Sequence, residues 1–110
     1  MNIFEKIVAG EIPCQKVLEN EQFLAFYDIN PKAPVHILAI PKKCVKDFHF
    51  ASPALLGELC AFAQEVAKYT GIDKTGYRII TNIGNDGGQE VPHLHFHILG
   101  GEKLAFPPLV

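Results

Sequence analysis

The chain has 110 residues with 10 basic and 12 acidic side chains, a formal charge of −2 and 48% hydrophobic residues. A domain of this size buries roughly two-thirds of its unfolded surface, which supports one core and leaves no room for a second catalytic domain. The intermixed charges exclude the basic field of a non-specific nucleic-acid binder, no apolar run reaches the ~18 residues of a membrane span, and Cys14, Cys44 and Cys60 form no C-x-x-C pair, which disfavours a disulfide framework or a thiolate zinc site.

Residues 1–110 are therefore read as a single domain. Its first residues show no basic region leading into an apolar run, and the expected location is the cytoplasm, with reduced cysteines. Asn2 can cap a short helix from Ile3 to Ala9 that buries Ile3, Phe4, Ile7 and Val8 and stops at Gly10. Lys16–Glu19 and Phe23–Tyr27 are β-prone runs joined by the polar Asn20-Glu21-Gln22, which predicts a hairpin. Pro31 and Pro34 make residues 28–34 a loop. Val35 to Ile40 reads as an interior strand, with His36 as the one polar ring in an apolar run.

Ser52-Pro53 opens a second helix, expected from Pro53 to Tyr69 with Gly71 as its stop. Leu55, Leu56, Leu59, Cys60, Phe62, Ala63, Val66 and Ala67 supply its apolar stripe. Tyr77–Thr81 is a further strand, and the tail beginning Phe106-Pro107-Pro108 is expected to be irregular. The fold class is thus α+β, a five-stranded antiparallel sheet with two helices, both expected on one face.

The run His93-Leu94-His95-Phe96-His97-Ile98-Leu99 alternates imidazoles with large apolar residues. In a strand this puts His93, His95 and His97 on one face and Leu94, Phe96 and Ile98 in a core. One metal cannot take all three, because His93 and His97 would lie about 13 Å apart at roughly 3.3 Å per residue. A zinc site would need His36 or Glu90 as a further ligand. Nucleophilic attack on phosphorus needs only the middle ring and a neighbour on each side. The glycine-rich stretch Asn82 to Glu90, just upstream, is placed to offer donors to an anion. His49 is read as structural or surface, and Lys42 and Lys43 as a solvated pair.

Pro92-His93-Leu94-His95-Phe96-His97-Ile98-Leu99-Gly100-Gly101 resembles the signature of the histidine triad nucleotide-binding proteins. Ile3–Ile7, Glu11-Ile12-Pro13, Phe26–His36 and Ile40-Pro41-Lys42-Lys43 resemble motifs of the Hint branch, in the expected order. The resemblance implies a homodimer whose central strands pair into one continuous sheet. It also implies metal-free and cofactor-free hydrolysis of purine nucleoside 5′-phosphoramidates and adenylates, with a purine nucleoside monophosphate site on each subunit and no role for nucleic acid or membrane.

Carried over by residue, it makes His95 the nucleophile, with His93 and His97 flanking it, His97 near the leaving group, and His36 beside the nucleoside. Asn82, Gly88, Gln89, Glu90 and Val91 would line the phosphate pocket, Asp28 would hold the ribose hydroxyls, and Ile29, Phe26, Phe4, Ile7 and Ile12 would hold the base. Three positions depart from the family pattern. Glu90 stands where eukaryotic members carry serine and is expected to turn away from phosphate. Cys44 replaces a histidine of some members, and the tail carries Phe106 in place of tryptophan. The alternative function is a nucleotide-binding regulatory module with vestigial catalysis.

Overall fold

The computed structural model describes residues 1–105; the tail from Phe106 lies outside the described residues. Helix α1 spans Ile3–Val8 and is closed at its start by a reciprocal capping box between Asn2 and Glu5. Strands β1 (Lys16–Glu19) and β2 (Phe23–Tyr27) form the expected hairpin. The Asn20 side chain pins its turn by accepting from the amides of Gln22 and Phe23 at 2.9 and 2.8 Å. Strand β3 (Val35–Pro41) follows the proline loop.

Helix α2 runs Pro53–Thr70, capped by Ser52 and ended by Gly71 at φ 83°. Strands β4 (Arg78–Ile80) and β5 (Phe96–Gly100) complete one sheet of order β1-β2-β3-β5-β4, antiparallel throughout.

The two helices lie on opposite faces of this sheet, not on one as expected. Phe23, Ala25, Ile37, Ala39, Phe96 and Ile98 point one way and pack with Leu59, Phe62, Ala63, Val66 and Ala67 of α2. Leu24, Phe26, Leu38 and Ile40 point the other way and pack with Phe4, Ile7 and Val8 of α1. The cause is visible in β2 and β3, which are apolar at nearly every position, so both faces need a cover.

Three further expectations change, the first being Ile3, which is 47% exposed on α1 instead of buried. Cys60 is exposed, because it stands one residue on from Leu59 and so about 100° around the helix from it. The histidine strand is also shorter than its sequence pattern, since β5 starts at Phe96. The segment before it leaves the ladder to pair elsewhere, the Leu94 amide donating to the Val45 carbonyl at 2.6 Å. Alternation nonetheless persists through the segment, and Leu94 joins the α2 core.

Candidate active site

A cavity of about 610 Å³ opens on the α1 side of the sheet, where α1 is too short to cover the ends of β3 and β5. Its floor comes from Leu38 of β3 and His97 of β5, directly opposite one another, with the pair His36 and Leu99 beside them. Phe4 and Ile7 of α1, with Ile12 and Phe26, make an apolar end, and Asp28, Ile29, Asn82, Gly88, Glu90 and Val91 make the rim.

Fixed backbone groups dictate which ring nitrogens carry hydrogen. The Lys32 amide donates to His36 Nδ1 at 3.0 Å, so in the neutral ring Nε2 holds the proton. His36 Nε2 lies 2.9 Å from His97 Nδ1 and donates to it. His97 must then carry its own hydrogen on Nε2. His95 Nδ1 donates to the His93 carbonyl at 2.7 Å, which leaves the Nε2 lone pair unshared. His93 Nε2 donates to the Pro41 carbonyl at 2.8 Å. The Thr81 hydroxyl donates to the His95 carbonyl at 2.9 Å and extends the β4–β5 ladder past its last backbone pair.

All four rings are held neutral. Burial pushes His36, His93 and His95 below the usual histidine range, and Asp28 opposes this at His36 and His95. His97 is lowered to about 4, first by burial and then by repulsion from His95 and His36. A lone pair at His95 and an N–H at His97, with ring centroids 5.1 Å apart, set a nucleophile beside a donor.

The nitrogens and oxygen of Asp28, His36 and His97 lie within 4.8 Å of one another, close enough to suggest a metal. Two details argue for a hydrogen-bonded relay instead. His36 Nε2 carries the hydrogen that Lys32 forces on it, so it has no lone pair to give. Its 2.9 Å separation from His97 is also shorter than the about 3.3 Å between two imidazole nitrogens on a tetrahedral zinc. Asp28 serves as turn former and cavity group at once: Oδ1 accepts from the Asn30 amide at 2.8 Å, while Oδ2 sits 3.5 Å from His36 Nε2.

The glycine-rich loop differs from expectation in how it uses its donors. The amides of Gly88 and Gln89 close turns onto Asn85 and Gly84, each at 3.0 Å, and are not available to an anion. Gln89 is a staple, accepting from the Gly84 amide and donating to the carbonyls of Lys46 and Val91. Asn82 donates to the Gly87 carbonyl at 2.7 Å. Any side chain at Gly87 would strike the Ile83 carbonyl, and Gly88 sits at φ 76°, so glycine is required at both. Among the described residues the amides of Glu90 and Val91 meet no acceptor, and both residues line the cavity.

Of the residues singled out from sequence, His95, His97, His36, Asp28, Ile29, Phe26, Phe4, Ile7, Ile12, Asn82, Gly88, Glu90 and Val91 all line the cavity. His93 does not, being fully buried behind His95, and neither does Gln89. Glu90 is exposed at the rim. Lys42 turns to Glu19 at 2.7 Å, His49 is exposed, and Cys44 lies beside Pro92 outside the cavity. Leu38, Ile80 and Leu99 line the cavity without having been singled out. Two-residue spacing from His36 and His97 marks Leu38 and Leu99, whereas Ile80 is located only by its pairing with His97.

The HIT domain family model matches residues 9–104. A Helicobacter pylori protein described as an uncharacterized HIT-like protein is 57% identical over 103 residues, covering 94% of this chain and 99% of that one. A histidine triad protein from Clostridium difficile superposes with a TM-score of 0.90 at 46% identity, covering 96% of this chain and 95% of that one. A HIT family hydrolase from Legionella pneumophila gives 0.89 at 41% identity, with 96% and 97% covered. With the motif residues gathered in one cavity and relatives this close over nearly the whole length, the chain belongs to the HIT family.

Proposed function

We propose that this protein hydrolyses purine nucleoside 5′-phosphoramidates and related adenylates through a covalent nucleotidyl intermediate on His95. The observation that carries the reading is the His95 ring, whose Nδ1 is spent on the His93 carbonyl while Nε2 holds a lone pair in the cavity. Only a neutral imidazole can attack, and burial keeps this one neutral.

The apolar end takes the base, Asp28 accepts from the ribose hydroxyls, and the α-phosphate lies between His95, His97 and the amides of Glu90 and Val91. Ile29, 89% exposed at the mouth, is a contact for the base rather than part of a core. A phosphate anion beside His97 supplies negative charge and draws its proton affinity back up. His95 Nε2 forms the P–N bond as the phosphorus–amine bond breaks, and His97 gives the departing amine its proton. Water then attacks the same phosphorus, His97 takes the proton, and His95 leaves as neutral imidazole.

The test is to quench the protein during turnover of adenosine 5′-phosphoramidate and map the AMP adduct by mass spectrometry. An adduct on His95 is expected, together with loss of at least ~1000-fold in turnover and retained AMP binding in His95→Ala. Undiminished turnover in that variant would sink the mechanism. A wild-type rate no better than equimolar imidazole would favour a binding module.

The same proposal includes a homodimer. Strands β2, β3 and β5 are flanked on both sides, so a continuous sheet must grow from an edge strand, and β4 exposes Ile79. Cytoplasmic residence belongs to the proposal too, supported by three free cysteines. Among the described residues no helix is long and apolar enough to cross a membrane.

A further inference from the structure

Asn2 is the N-cap of α1, and its side-chain oxygen accepts from the Glu5 amide at 2.8 Å. An amide can only donate there, so the Asn2 side chain is oriented with Nδ2 facing away from the helix. Nδ2 lies 3.1 Å from His93 Nδ1, across 91 positions of sequence, and 3.5 Å from Cys44 Sγ. His93 Nδ1 is an acceptor because the ring's hydrogen is committed to the Pro41 carbonyl. Both nitrogens of His93 are thus held, one by the end of β3 and one by the cap of α1. The carbonyl of this same residue orients His95.

Phe4, two residues beyond Asn2, stands edge-on to the rings of both His93 and His95 at 5.7 and 5.0 Å. A helix cap alone needs no such reach, since serine and aspartate cap about as well as asparagine.

We infer that Asn2 is a positioning residue for the nucleophile: it latches α1, the wall of the apolar end of the cavity, to His93, and through the His93 backbone it sets the orientation of His95. The inference deepens the reading of the cavity as a phosphoramidase site. It makes the orientation of His95 depend on one amide at the start of α1. The charged and titratable groups facing His93 are Glu5 on α1 and His95 on its own segment, with the Cys44 thiol beside Asn2.

Two capping variants separate this role from capping. Asn2→Ser keeps a cap and loses the reach to His93. Asn2→Asp keeps the cap and turns an acceptor toward an acceptor, so the His93 ring must take up a proton to bridge to the new carboxylate. Expected are melting temperatures within a few degrees of wild type, turnover reduced about 3- to 10-fold, and KM within about twofold. In Asn2→Asp, histidine NMR titration should also show the His93 midpoint raised above that of wild type.

An unmoved His93 midpoint, or wild-type turnover in both variants, overturns the inference and leaves Asn2 a cap only. The NMR readout needs no substrate. A wild-type protein without phosphoramidase activity would therefore count against the proposed reaction, while the His93 midpoint still decides whether the latch exists.

Discussion

The two faces of the sheet are built from the same strands yet do opposite things. On the α2 side, an 18-residue helix lays Leu59, Phe62, Ala63, Val66 and Ala67 over Phe23, Ile37, Phe96 and Ile98, and all of these are buried. On the α1 side, a 6-residue helix packs with Leu24, Phe26, Leu38 and Ile40 but leaves Phe26 and Leu38 lining a cavity with His36, His95 and His97. One residue separates the two worlds along each strand: Ile37 from His36, Phe96 from His95 and His97. The longer cover makes a dry core, and the shorter one leaves room for a ligand and for neutral, hydrogen-bonded rings.

That contrast breaks most sharply under truncation. Phe62→Ala removes a buried ring stacked on Phe23 at 5.4 Å and should cost about 3–5 kcal/mol in denaturant unfolding while leaving KM unchanged at temperatures where the variant is folded. Phe4→Ala, on the cavity side, should cost less stability and raise KM for the nucleotide; equal effects of the two on both measures would dissolve the distinction.

Acid should also unbuild the cavity face selectively. A histidine whose folded pKa is depressed favours the folded state fully above its unfolded value of about 6.5, and that contribution is lost as pH falls through the folded value. For His97 the window runs from about 6.5 down to about 4, and His36, His93 and His95 act in the same direction. The melting temperature should fall on acidification through this window, and His97→Gln should flatten the slope.

The smallest expected effect is Asp28→Asn. It keeps the turn acceptor and removes the charge, so it should weaken AMP binding about tenfold by calorimetry and change stability little.

Much of this was legible in the chain. Every strand and both helices lie within a few residues of where periodicity, caps and prolines put them, because those signals act over four or five residues. The hidden parts are long-range. That His93 stands behind the site instead of in it depends on Pro41 and Asn2, 52 and 91 positions away. That Gln89 staples a loop rather than touching phosphate depends on the Lys46 carbonyl.

What the sequence by itself determined is therefore the chemistry on offer: three alternating imidazoles, an acidic residue before a proline loop, glycines where only glycine fits. The folded structure decided how that chemistry is poised, through contacts as near as His93 to His95 and as far as Pro41 to His93. The Lys32 amide, the His93 carbonyl and the Pro41 carbonyl assign the hydrogens on four rings. The reason is physical: a neutral imidazole has two nearly equivalent tautomers, and only a neighbour with a fixed donor or acceptor chooses between them.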